Sequence, residues 1–130
     1  MPRIPPHIDD ANRAFWHGGA QGELLILFCE ACGRWVHPPT QNCGVCTGPL
    51  IPRRASGRGA VFTFTVSRHQ FNPAVPVPFV IAIVELEEQE GLRFTTDLVD
   101  VDVDAVHIGM AVEVTFEQAG EAWVPVFRPR

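Results

Sequence analysis

The sequence lacks any apolar run long enough to cross a bilayer. Its longest uncharged stretch, His69 to Val84, is broken by Pro73, Pro76 and Pro78, whereas a spanning helix needs about 20 consecutive apolar residues. The opening MPRIPPHIDD carries neither the apolar segment nor the small-residue cleavage site of an export signal, so a soluble, cytoplasmic protein without membrane contact is expected. Lysine is absent altogether. All ten basic residues are arginine, six against four acids in residues 1–60 and four against eleven in residues 61–130, for a net charge of −5. A surface that neutralises a phosphate backbone needs clustered cations, and this acidic second half would repel one. Also missing are HExxH, a nucleophile elbow, GxGxxG, a Walker loop and a spaced carboxylate pair in a pocket-forming context. Gly57-Arg58-Gly59 resembles a phosphate loop only superficially, so no catalytic residue is assigned.

What is present suffices for a core. With 46% hydrophobic and 19% charged residues, the chain is expected to fold as one ordinary domain or two small ones. Its strongest chemical signal is Cys29-x2-Cys32 followed by Cys43-x2-Cys46, which uses all four cysteines. An x2 spacing lets two thiolates in one tight turn point at a single ion, and two such turns complete a tetrahedron. Zinc is the natural occupant. Two disulfides are the competing account, disfavoured without an export signal, and a rubredoxin-style iron centre is the less favoured metal. Four thiolates leave no open coordination position, so the expected role is structural.

The expected fold is mainly β: a short N-terminal helix, a four-cysteine zinc ribbon, then a five-stranded OB-type barrel, divided as residues 1–22, 23–55 and 56–130. An extended leader, Pro2 to Pro6, precedes a helix capped by Asp9 or Asp10, with Gly18-Gly19 as its left-handed stop. Leu24 to Phe28 reads as a strand into the first knuckle and Trp35 to His37 as its return. Barrel strands are expected at Ala60–Val66, Phe79–Glu87, Leu92–Asp97, Ala111–Glu117 and Ala122–Phe127, with a helical plug over Val101 to Gly109. In the first of these, alternation places Phe62, Phe64 and Val66 inward and Thr63, Thr65 and Ser67 outward. Glu85 to Glu90 ends a strand and enters a solvated hairpin tip. The histidines are scattered; His37 lies between the knuckles, but four cysteines already complete a site.

The order of motifs resembles a known family. It runs Phe15-Trp16, Gly22-Glu-Leu-x4-Cys29-x2-Cys32-Gly33, Pro38-Pro39-x3-Cys43-x2-Cys46 and Gly57-x-Gly59-x-Val-x-Thr63-x-Thr65-Val66. Pro78-Phe79, Ile108-Gly109-Met110-x-Val112-Glu-Val114-x-Phe116 and Pro125-x-Phe127-Arg-Pro129 follow. Nearly the whole chain is similar to the rubredoxin-like zinc-ribbon plus OB-fold family, long called a domain of unknown function, that accompanies thiolase-fold acyl-CoA enzymes. The second knuckle departs from the common Cys-Pro-x-Cys-Gly by reading Cys43-Gly-Val-Cys46-Thr.

The resemblance implies a non-catalytic subunit that bridges or activates a thiolase, or a lipid-transfer-protein-like aldolase shortening steroid side chains held as CoA thioesters, in a hetero-oligomer. It also implies that such a module can form the tail of a hot-dog-fold hydratase. Phe15, Trp16, Trp35 and the proline-rich loop from Phe71 to Phe79 offer aromatic anchors for such a partner. Arg53, Arg54 and Arg58 are candidate contacts for CoA phosphates, with linker solvation as the alternative. The rival class is a single-stranded nucleic-acid binder, which would need aromatic platforms beside cations on the barrel's outer face.

Overall fold

An arm without regular structure leads into one short helix, α1 (Arg13–His17). The computed structural model describes residues 3–130; Pro2, at the head of the expected leader, lies outside them. Asp9 accepts from the Asn12 amide at 2.9 Å while Asn12 Oδ1 accepts from the Asp9 amide at 2.7 Å. This reciprocal pair fixes the entry to the helix, which starts later than the sequence suggests. Gly18 is not a left-handed stop: its φ is −59°, and the chain continues as a 3-10 turn (Gly18–Gln21) closed by Gly22 at φ 72°. Glycine is required at positions 18 and 19 for a different reason. A Cβ would lie 2.5 Å from the Glu23 carbonyl oxygen at Gly18 and 2.5 Å from Trp123 Cβ at Gly19, so both permit close backbone approach.

The ribbon is a three-stranded antiparallel sheet of β1 (Leu24–Cys29), β2 (Arg34–Val36) and β3 (Ile51–Ala55), in the order β2-β1-β3. The third strand has no signature of its own, because Pro52, Arg53 and Arg54 show no apolar alternation. It forms through pairing with Leu24 to Phe28, and its edge position tolerates the proline.

Five strands close the barrel: β4 (Arg58–Ser67), β5 (Phe79–Leu86), β6 (Arg93–Leu98), β7 (Ala111–Ala119) and β8 (Ala122–Pro129). Their order is β4-β5-β6-β8-β7, with β7 returning to β4 and β6 parallel to β8. This is the Greek-key connectivity of an OB-fold. Two expectations within it are corrected. A bulge between Val61 and Thr63 leaves Phe62 outside the ladder, so Val61, Phe64 and Val66 face inward while Phe62 is 44% exposed. An extra residue inverts the parity of everything on one side of it.

The expected helical plug between β6 and β7 is a series of turns. Asp102 accepts from the Asp104 amide at 2.9 Å, and such side-chain capture of backbone groups competes with helix. The segment still closes the barrel: Val106 is buried, Val101 and Val103 pack on the core, and the Gly109 amide donates to the Val61 carbonyl.

Ribbon and barrel share one interior. Phe15, Leu24, Ile26 and Ala55 belong to the same buried cluster as Val84, Phe94 and Phe127.

Candidate metal centre and surrounding surface

Both knuckles are built alike. In the first, the Cys32 amide donates to Cys29 Sγ at 3.4 Å and Gly33, at φ 67°, donates back to the Cys29 carbonyl. In the second, the Gly48 amide donates to Cys46 Sγ at 3.4 Å and Thr47, at φ 59°, donates back to the Cys43 carbonyl. Thr47 thus takes the left-handed position that Gly33 takes in the first knuckle. Its hydroxyl donates to the Cys46 carbonyl at 2.6 Å, and Asn42 Nδ2 donates to the Thr47 carbonyl at 3.3 Å. These contacts hold a β-branched residue in a region it rarely occupies.

The four sulfurs converge. All lie within 4.8 Å of one another, with Cys29 and Cys46 at 3.5 Å and Cys32 and Cys43 at 3.9 Å. A tetrahedral ion with bonds of about 2.3 Å to sulfur demands separations of about 3.8 Å, so the set fits one structural metal ion. The cysteines are free thiols rather than disulfides. Their proton affinities diverge. Backbone amides of Cys46 and Val45 lower Cys43 to about 6, whereas a hydrogen bond shared with Cys46 and burial push Cys32 up to about 12. A dication is what allows all four to act as thiolates together.

His37 takes no part in this cluster. Its ring packs 5.0 Å from that of Phe15 and 5.1 Å from that of Phe94, and burial lowers its pKa to about 4. Its Nδ1 is buried without a hydrogen-bond partner. The ring forms part of the wall of a cleft of about 240 Å³ shared with Trp16, Pro38 and Pro125.

The candidate partner-facing aromatics separate into distinct places. Phe15 is not available: it is 8% exposed and packs in the shared core, because the helix needs an internal anchor. Trp16 and Phe79 come together in a groove of about 380 Å³ with Ile4, Val75 and Val124. Phe71 stands 85% exposed on the proline-rich loop, its ring 4.4 Å from that of His69. Trp35 lies on the ribbon, edge-on to Phe28 at 5.1 Å.

The three candidate CoA-binding arginines do not converge on one face. Arg53 lies over Phe28, Arg54 follows it in the strand and leaves the opposite face, and Arg58 is held by Glu87 at 2.8 Å. On the barrel, Arg93 is tied to Glu85 at 2.8 Å and stacked 3.7 Å above Phe62, so this aromatic–cation pair is already occupied by an internal carboxylate.

Sequence reasoning missed Arg3. Its guanidinium donates to Asp97 at 2.7 Å and to both oxygens of Glu117 at 3.2 and 3.0 Å. No local pattern marks it, since the partners lie 94 and 114 positions away. No helix among the described residues is long and apolar enough to cross a membrane.

Two family profiles match the chain: the rubredoxin-like zinc ribbon domain of ChsH2 over residues 16–49 and the C-terminal OB-fold domain of ChsH2 over residues 52–117. A probable enoyl-CoA hydratase alpha subunit of Thermomonospora curvata is 39% identical over 98% of this chain and 40% of its own length. The 3-oxo-4,17-pregnadiene-20-carboxyl-CoA hydratase alpha subunit of Mycobacterium tuberculosis is 42% identical over 78% of this chain and 32% of its own length. The chain therefore spans well under half of either hydratase subunit. A DUF35 domain-containing scaffold protein of Methanothermobacter thermautotrophicus is 35% identical over 72% of this chain and 71% of its own. Among solved structures, a chain of the Ltp2-ChsH2(DUF35) aldolase superposes with a TM-score of 0.83 at 38% identity, covering 96% of this chain and 98% of that one.

Proposed function

This chain belongs to the ChsH2 zinc-ribbon and OB-fold family, the DUF35 proteins, and on that premise we propose that it is a non-catalytic subunit that binds and activates or stabilises a thiolase-fold acyl-CoA enzyme. The partner we favour is a lipid-transfer-protein-like retro-aldolase acting on steroid side chains held as CoA thioesters, with a thiolase as the alternative partner. The observation that carries this reading is the likeness to the Ltp2-ChsH2(DUF35) aldolase chain across almost the full length of both. The relative named a steroid-CoA hydratase subunit supports the substrate class, and the relative named a scaffold protein supports a non-catalytic role.

The chemistry of the chain agrees with this division of labour. A four-thiolate centre offers no open position to substrate, and Val61, Val84, Val112 and Phe127 fill the barrel interior. We assign the metal as zinc, held by Cys29, Cys32, Cys43 and Cys46, in a reducing cytoplasmic setting where thiolates persist. Residues 1–22, 23–55 and 56–130 are the arm, ribbon and barrel of this subunit. A hot-dog-fold hydratase is a further partner of the same complex, in keeping with the hydratase subunits that contain such a module.

Co-expression with candidate thiolase-fold enzymes, size exclusion, and an assay with and without this chain test the reading. The expected result is a stable hetero-oligomer whose partner loses solubility or turnover when the chain is omitted. A partner fully soluble and active alone, or turnover by this chain alone, would overturn it.

A further inference from the structure

Arg3, Arg13, Arg58, Arg68, Arg93 and Arg128 each have a carboxylate within 4.0 Å. Among the described residues, Arg34, Arg53, Arg54 and Arg130 have none; Arg130 follows β8 on the barrel, and the other three lie in the ribbon, whose residues 24–55 contain Glu30 as their sole acid. The metal centre changes this balance near the knuckles, because a dication in four thiolates carries two net negative charges. Arg34, paired in register with Cys29, is the cation placed to offset it. Arg53 and Arg54 on β3 remain.

Arg53 is held ready for a ligand. Its guanidinium carbon lies 4.4 Å from the Phe28 ring centroid and 5.9 Å from that of Trp35. Stacking occupies the face of the guanidinium and leaves its N–H edge free, the geometry that takes a carboxylate through two parallel hydrogen bonds. Ile51, 41% exposed and paired in register with Phe28, extends the patch. A prepositioned arginine flanked by tryptophan and phenylalanine has the composition of an interface anchor, and its fixed geometry lowers the entropy lost on binding.

We infer that the ribbon face formed by Phe28, Trp35 and Arg53 is a docking surface for a protein partner, and that Arg53 receives a carboxylate of that partner. This rests on the reading that the chain works bound to another protein. Charge selects the occupant: the patch is an unneutralised cation in a protein of net charge −5, so its complement is an acidic side chain. CoA fits less well, because Arg54 leaves the other face and Arg58 is already paired with Glu87, so no second guanidinium joins Arg53 to clamp a polyphosphate. Single-stranded nucleic acid also fits less well. Phe28 and Trp35 meet edge to face at 71° under the guanidinium, which leaves no free ring for a base to stack on.

The metal-loaded full chain is titrated with hexaglutamate, oligo-dT and CoA while the Trp35 indole N–H and Arg53 Nε–H resonances are followed by NMR. Hexaglutamate should shift both signals, with affinity falling at least several-fold between 50 and 300 mM salt as expected for a solvent-facing ion pair. Arg53→Ala should abolish the shifts and Arg53→Lys should retain a weaker response, keeping the charge but losing the planar fork. Arg54→Ala on the opposite face should behave as wild type, and equal thermal midpoints confirm that the variants fold. The inference is overturned if hexaglutamate shifts neither signal, if Arg53→Ala binds as wild type, or if oligo-dT or CoA shifts them at lower concentration than hexaglutamate.

A second arm uses the co-expressed thiolase-fold enzyme. A wild-type complex that Arg53→Ala weakens at least tenfold supports the inference, and a complex that Arg53→Ala leaves unchanged overturns it. Failure of the wild-type chain to form any complex overturns the proposed function instead, and the peptide titration still decides the patch.

Discussion

The side-chain amide of Gln89 closes a two-point hydrogen-bonded ring on the backbone of Trp35: Oε1 accepts from the Trp35 amide at 2.8 Å and Nε2 donates to the Trp35 carbonyl at 3.1 Å. Gln89 lies in the turn between β5 and β6, and Trp35 lies in β2, the free edge of the ribbon sheet. The amide therefore supplies to that edge the paired contacts a neighbouring strand would make. Ribbon and barrel are fixed to each other at the residue that also supports Arg53.

Gln89→Ala should leave both Trp35 backbone groups without a protein partner. The expected cost is about 1–3 kcal/mol, seen as a lowered thermal midpoint and as faster hydrogen exchange at the Trp35 amide. Gln89→Glu keeps an acceptor for the Trp35 amide but loses the donor to the Trp35 carbonyl at neutral pH, so it should preserve part of the exchange protection without restoring the full midpoint. Exchange at Trp35 that stays as slow as in wild type would show that the contact does not hold the edge.

Metal removal should act beyond the knuckles. Leu24, Ile26 and Ala55 pack in the same interior as the barrel's Val84 and Phe127, so loss of the ribbon exposes part of the barrel's core. Metal binding in small ribbons contributes roughly 10 kcal/mol or more to folding. Prolonged chelation should therefore lower the thermal midpoint and change the far-ultraviolet circular dichroism, with added zinc restoring both. A metal-free protein with an unchanged spectrum and midpoint contradicts a structural role. The metal's identity reads out by eye and by elemental analysis: iron on four thiolates is coloured and zinc is not.

Much of this could be read locally. The paired cysteine spacings and the five barrel strands are periodicities within a dozen residues, and they anticipate the convergence of the four sulfurs and the closed barrel. What escaped notice depends on distant partners. The strand holding Pro52, Arg53 and Arg54 exists because Leu24 to Phe28 pairs with it. Phe62 turns outward because one extra residue sits opposite the step from Val84 to Ile83. The helix expected near Asp102 yields to side-chain capture of the backbone, and His37, isolated in sequence, is enclosed by Phe15 and Phe94.

Arg3 should behave as a clamp across the barrel. It joins Asp97 on β6 to Glu117 on β7, and β8 lies between those strands. At 15% side-chain exposure, its loss leaves two carboxylates facing each other without a cation. Arg3→Ala should destabilise by about 2 kcal/mol, and a double-mutant cycle with Glu117→Gln should show a coupling of about 0.5–3 kcal/mol. Arg3→Lys should recover part of this, since an ammonium keeps the charge but cannot span both carboxylates as a planar fork. Zero coupling would mean that the contact is incidental.

His37 makes stability fall in mild acid, and the direction follows from where protons bind. Burial lowers its pKa from the ordinary 6.5 to about 4, so between those values the unfolded chain binds more protons than the folded one. Stability from this group is fully present above about 6.5, decreases as pH falls through the window, and levels off below about 4. The full loss is on the order of 3 kcal/mol. Protonation of the cysteine thiolates acts in the same direction, so the contribution of His37 is isolated by comparison with His37→Phe, which retains an aromatic ring against Phe15 and Phe94 and does not titrate. Urea unfolding of the metal-loaded chain at pH 7 and pH 5 should show a larger drop for wild type than for His37→Phe, by about 2 kcal/mol. The two proteins losing equal stability would place His37 in water rather than between the two phenylalanines.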